Sequence, residues 1–285
     1  MKQIQEIEKL GGIDADNDDL LIRCFQDHAA FIQLKNFEKH IILGRKGTGK
    51  TAIFKKLLGE RDVSTFTYGH TFSDYPWHYH DKQVKMGVPD YDKYTHSWKY
   101  LTLLTISKIL LNQDQSIPYD ETSLENLSKI ENFIFDSYGT RDPDITQIFT
   151  PSKKLKIKPN FSVDVGGLKA GISSDRVPVE YLPVIVQEVN LNLMEYIIGS
   201  LNPYNKYYIL FDQLDLGFDP NNSDYNNRLI GLLLASRDLN NKAKDYGKNL
   251  SVSVFLRDDI FNKLKFDDKN HCCPVKTSGV KKRVS

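Results

Sequence analysis

Apolar positions along the chain fall into two spacings: short continuous runs, and longer stretches in which they recur every three to four residues. Ile41-Ile42-Leu43 is a run of the kind a strand buried on both faces presents. Directly after it, Ile53, Phe54, Leu57 and Leu58 repeat at helical spacing, and Gly59 predicts the stop. Val63 to Tyr68 is rich in β-branched and aromatic residues and predicts a second strand. Trp98, Leu101, Leu104, Ile106 and Leu110 predict a long buried helix over Tyr94 to Leu111. Helices are expected around Pro118, ending before Pro143, and over Val184 to Leu201. Lys206 to Asp212 reads as a third strand and Leu250 to Leu256 as a fourth, with a helix at Asn226 to Asn240 between them. Strands alternating with helices imply an α/β fold: a parallel sheet with helices on both faces.

Three regions depart from that alternation. Residues 1–39 read as a helical lead-in. Leu155 to Lys158 and Phe161 to Val165 alternate polar with apolar, and Gly166-Gly167 then leads into Leu168 to Ile172, which predicts a β-hairpin with a Gly-Gly turn. Residues 112–180 are therefore an insertion, part helical and part hairpin, in a domain spanning 40–270. Its lysines, Lys153, Lys154, Lys156, Lys158 and Lys169, form the most basic local patch, and a solvated face is the simpler reading of them. Residues 271–285 end in Lys281-Lys282-Arg283-Val284-Ser285 and show no periodicity, so an irregular basic tail is expected.

The bulk numbers narrow the class. The chain has 285 residues, 40% hydrophobic and 26% charged, as ordinary globular domains do. A net charge of +1 gives no global field for nucleic acid but leaves room for a local basic face. With no long apolar run and no apolar segment at the N-terminus, neither a membrane partner nor a signal peptide is expected. Three cysteines, Cys24, Cys272 and Cys273, are too few for a disulfide framework, and a cytoplasmic location fits. His70, His78 and His80 lack the acidic or thiolate ligands that would complete a metal set.

The chemistry concentrates between the first strand and the first strong helix. Gly44-Arg45-Lys46-Gly47-Thr48-Gly49-Lys50-Thr51 fits G-x-x-x-x-G-K-[ST], a phosphate-binding loop. Glycines let the backbone curl so that several N–H groups converge, and the helix N-terminus adds partial positive charge behind them. Lys50 would reach the β- and γ-phosphates of ATP, and the Thr51 hydroxyl would ligate Mg²⁺. The third strand ends in a carboxylate, Asp212, suited to holding the same Mg²⁺ through water. Gln213 stands next, where many such ATPases carry a Glu. Asp215 is the better candidate base, since Gln cannot take a proton, although Gln213 can orient water. Arg257, at the tip of the fourth strand, is a candidate for reading the γ-phosphate, with a salt bridge to a neighbouring carboxylate as the alternative. GTP is disfavoured, because Asn241-Lys242-Ala243-Lys244 lacks the Asp of N-K-x-D and does not follow a strand.

Taken together, GRKGTGKT at Gly44 to Thr51, Tyr75-Pro76-Trp77 with Trp98, the Asp212-x-x-Asp215 pattern and Val254 to Phe261 resemble a group of prokaryotic P-loop ATPases, some found among phage-defence genes. The D-x-x-D form and the strand-tip Arg are also similar to AAA+-related STAND and KAP ATPases. The resemblance covers about residues 25–270. It implies a P-loop NTPase fold with strand order 5-1-4-3-2, and Mg-ATP hydrolysis coupled to conformational change in a DNA-linked or defence process. A poorly hydrolysing nucleotide switch and, more weakly, a small-molecule kinase are the rival readings. A second copy, a nucleic acid and a partner protein all stay open as partners. Relatives would continue into a fifth strand and a helical lid. Here the sequence after Asn270 reads as a truncated or frameshifted end, and on that reading the fifth strand is in question.

Overall fold

A computed structural model describes residues 25, 27–60, 62–71, 90–149, 155–156, 176–177, 182–215, 222–272 and 274–277. In chain order they form α1 (Ala29–Lys35), β1 (Ile41–Gly44), α2 (Lys50–Leu58), β2 (Thr65–Thr71), α3 (Asp90–Asn112), α4 (Glu121–Tyr138), α5 (Ile145–Phe149), β3 (Leu155–Lys156), β4 (Arg176–Val177), α6 (Leu182–Ser200), β5 (Lys206–Asp212), α7 (Ser223–Asp245), β6 (Asn249–Arg257), α8 (Asp258–Lys263), a 3₁₀ turn (Asp267–Cys272) and β7 (Val275–Lys276).

Five strands make one sheet in the order β2-β5-β6-β1-β7, every neighbouring pair parallel. Numbered in chain order, the five strands of this sheet run in the expected 5-1-4-3-2 order. One expectation needs correction. The fifth strand is present: Val275 and Lys276 pair with Ile42 and Leu43. Two residues held by backbone hydrogen bonds, one half-buried and one exposed, leave no apolar run to be read. Of the inserted hairpin, Leu155-Lys156 pairs antiparallel with Arg176-Val177, and the Gly166-Gly167 turn with the segment 161–172 lies outside the described residues. So do most of the lead-in, the basic patch apart from Lys156, Tyr75 to Trp77, His78, His80, and the tail from 278 onward.

Successive strand residues point to opposite faces, and both faces are covered. On one, Ile41, Leu43, Tyr207, Ile209, Phe211, Val252 and Val254 meet α3, α6 and α7 in the larger core. On the other, Ile42, Tyr208, Leu210 and Phe255 meet Phe31 and Leu34 of α1 and Ile53, Phe54 and Leu57 of α2. Trp98, fully buried on α3, donates its indole N–H to the Arg228 carbonyl of α7 at 2.9 Å, fixing one helix against the other. The buried hydroxyls of Thr102, Thr105 and Ser107 each donate to the carbonyl one turn earlier, so α3 carries polar side chains into the core already satisfied.

β2 begins two residues later than its composition predicts. Val63 is exposed, and the chain turns on Asp62, whose carboxylate accepts from Ser64 at 2.9 Å, before Thr65 pairs with Lys206. His70, considered above for a metal, is buried against Phe211 and hydrogen-bonds Thr105 at 3.0 Å. Among the described residues no cluster of His, Cys, Asp or Glu is arranged for a metal ion, and no helix is long and apolar enough to cross a membrane.

Candidate functional site

The Gly44–Thr51 loop leaves the carboxyl end of β1 and enters α2 at Lys50. Gly49 is the N-cap of α2 at φ 87°, and Gly47 sits at φ 80°. Both are in the left-handed region, where any Cβ costs roughly 1–2 kcal/mol. Gly49 has no side chain to accept from the first-turn amides of α2, which therefore stay available as donors. Gly44 is constrained by crowding instead. A Cβ there would come within 2.0 Å of the Thr277 hydroxyl and 2.3 Å of the Thr48 hydroxyl.

Lys50 folds back over the loop. Its ammonium donates to the carbonyls of Gly44 at 3.0 Å and Arg45 at 3.1 Å. Burial lowers its pKa, while the charges of Asp212 and Asp215 oppose that fall. Asp212 ends β5, one strand removed from β1 because β6 lies between. It is 3% exposed, and its carboxylate accepts from the Thr51 hydroxyl and the Gln213 amide. The other carboxylate oxygen, Oδ2, has no hydrogen-bond partner among the described residues. Burial raises the pKa of this group above the ordinary carboxylate range, and neither those hydrogen bonds nor Lys50 fully offsets the effect. A buried anionic oxygen beside a threonine hydroxyl fits a hydrated divalent cation.

Gln213 takes φ 60°, an unusual conformation for a residue with a side chain, and turns the chain sharply after Asp212. Asp215 and Arg257 meet, with the guanidinium 3.6 Å from the Asp215 carboxylate. Arg257 is also held by Asp259, through Nε at 3.0 Å and the second nitrogen at 2.7 Å. Of the two readings of Arg257, the salt bridge is the one these contacts show. With Arg45, Lys46, Asp258 and Asn262, Arg257 and Asp259 line an open cavity of about 360 Å³ beside the loop.

One participant could not be anticipated. Thr277, just after β7, donates its amide to the Leu43 carbonyl at 2.7 Å, and its hydroxyl lies 2.8 Å from that of Thr48. The Thr48 hydroxyl donates in turn to the Arg45 carbonyl at 2.9 Å. The end of the chain therefore braces the middle of the loop. Asp259, which holds Arg257, is the neighbouring carboxylate that the salt-bridge reading called for.

No protein-family model matches the chain, and no solved structure matches it significantly. Over 270 residues it is 24% identical to a protein of Escherichia coli (strain K12) named "Putative transposon gamma-delta 80.3 kDa protein". The alignment covers 92% of this chain but 35% of the relative, so the chain spans about a third of that protein's length.

Proposed function

We propose that the chain is a P-loop NTPase that binds ATP with Mg²⁺ and couples binding or hydrolysis to a change of conformation. The observation that carries this reading is the buried Asp212 oxygen without a partner, beside Thr51 at the carboxyl edge of the sheet where the Gly44–Thr51 loop opens. Loop amides and Lys50 take the phosphates, Lys50 exchanging its two loop carbonyls for phosphate oxygens. Thr51 and, through water, Asp212 would hold the metal, which when bound would neutralise charge on the phosphates. Asp215 serves as base for the attacking water, Gln213 orients that water, and Arg257 reads the terminal phosphate after releasing Asp259. The similar E. coli protein is named for a transposon. We carry that over as a proposal that the nucleotide cycle serves a DNA-linked or phage-defence process in the cytoplasm, with a second copy, a nucleic acid or a protein as partner.

The switch reading has an observation of its own. Asp215 and Arg257 neutralise each other at 3.6 Å, so both groups assigned to hydrolysis are engaged before any substrate arrives. Calorimetry with Mg-ATP, set beside single-turnover hydrolysis, tests both readings. Binding that disappears in Lys50→Ala supports the site, and binding without turnover favours the switch. No heat with any nucleoside triphosphate overturns both.

A further inference from the structure

The nucleotide site uses the carboxyl end of the sheet. At the opposite end, between the starts of β1 and β6, the last turns of α7 and the 3₁₀ turn, a cavity of about 580 Å³ opens to solvent. Its wall carries Lys39, Lys244, Lys248, Arg237 and His271 against one carboxylate, Glu38. Beside it stand three tyrosines with outward rings. Tyr204 is 87% exposed, Tyr246 59% and Tyr119 38%.

They belong to one surface, as the contacts between them show. The Lys248 ammonium donates to the Tyr119 hydroxyl at 2.9 Å and the Leu201 carbonyl at 2.7 Å, and lies 5.2 Å from the Tyr119 ring centre. The neighbouring Asn249 amide donates to the carbonyl of Pro203, the residue before Tyr204, at 2.8 Å. Tyr246 precedes Lys248 by two positions and carries the Lys242 ammonium 4.9 Å over its ring. Lys242 and Lys244 also complement the negative end of the α7 dipole, which accounts for two of the cations without any partner. It does not account for large aromatic rings kept in water beside them, nor for Lys39, which comes from another element. Lys39 and Lys244 act on a common point: after partial burial, the main cause, both push the half-buried His40 ring toward its neutral form.

We propose that this amino-end surface binds single-stranded nucleic acid, with phosphates tracking Lys39, Lys244 and Lys248 along the cleft and bases stacking on Tyr204 and Tyr246. Rings stacked on unpaired bases beside a cationic groove are how strands are held without regard to sequence. A duplex hides its base faces and would leave the tyrosines unused. An acidic peptide satisfies the lysines but not the rings. Asp245, Asp120 and Glu121 lie on the flanking segments and limit the field to the cleft itself.

Fluorescence anisotropy of the full chain with a labelled oligothymidylate of about 15 nucleotides tests this, since strand-binding sites span roughly 4–16 nucleotides. Three phosphate contacts predict that log affinity falls with log salt at a slope of about −2. The Tyr204→Ala/Tyr246→Ala pair should weaken binding by roughly 10-fold or more. Lys39→Glu/Lys244→Glu should weaken it further and flatten the slope. Mg-ATP binding should match the parent in both pairs, and so should the melting temperature of the tyrosine pair, whose rings are exposed. Lys50→Ala should bind the oligonucleotide like the parent, which separates this surface from the nucleotide site. Oligothymidylate binding absent at low salt, unchanged in the tyrosine pair, or displaced equally well by duplex or polyglutamate would overturn the proposal.

Discussion

Replacing Asp212 by Asn removes one negative charge and keeps the shape of the side chain. Asp212 is 3% exposed, one oxygen has no partner, and its pKa is raised chiefly by burial. The charge is therefore a net cost to the fold, and a carboxyl whose folded-state pKa lies above its unfolded value destabilises once pH exceeds both. An unsatisfied buried polar group costs about 1–3 kcal/mol, more if charged. Asn relieves the charge but leaves an amide N–H without a partner in its place, and the attraction to Lys50 is lost, so stability should rise by about 1 kcal/mol. In a chain of this size that corresponds to a melting temperature roughly 2 °C higher. Thermal melts of both proteins without nucleotide, repeated at falling pH, provide the assay. The gap should narrow as pH drops through the raised carboxyl pKa, because the parent's Asp212 then becomes neutral as well. With Mg-ATP added the order should reverse: the parent gains stability by ligand linkage, and the variant loses most of that gain. If Asp212→Asn melts several degrees below the parent without ligand, the charge is compensated and the argument for a cation there fails. A variant that keeps the full Mg²⁺-dependent shift refutes it equally.

Other expectations follow from the same geometry. Gly44→Ala drives a methyl into the Thr48 and Thr277 hydroxyls, and overpacking of this kind should cost about 1–3 kcal/mol in chemical unfolding; a neutral outcome would mean that the end of the chain swings away easily. Gly49→Ala meets open space and should cost about 1–2 kcal/mol from its φ of 87° alone, with nucleotide affinity falling more than stability. Thr277→Val removes one hydroxyl partner from Thr48, so ATP affinity should drop by roughly 2- to 10-fold and return in Thr277→Ser; equal affinity in Val and Ser would deny the brace. Burial, aided by Lys244 and Lys39, pushes His40 down to about 4. The folded state thus resists protonation that the unfolded chain accepts near pH 6.5, so stability should fall by about 3 kcal/mol between pH 6.5 and 4. Part of that slope should vanish in His40→Gln.

The readable parts of this protein are those whose cause is local. Buried parallel strands must be apolar on both faces, so Ile41 to Leu43, Lys206 to Asp212 and Leu250 to Leu256 stand out as runs. A helix covering one face must repeat its apolar residues every turn, so α2, α3 and α7 are visible within a few residues of their ends. The loop from Gly44 to Thr51 is legible because covalent neighbours must alternate curl and donor, and its glycines answer to backbone angles set on the spot. What tertiary structure decided is who meets whom. β7 is a strand only because the open edge of β1 offers it hydrogen bonds. Thr277 reaches Thr48, and Lys156 finds Arg176 across a long excursion. Arg257 is claimed by Asp259 and Asp215 rather than left free for phosphate. Periodicity is written along the chain because each residue's exposure depends on its element's geometry. Contacts between distant residues depend on how whole elements dock, and no short stretch of sequence records that.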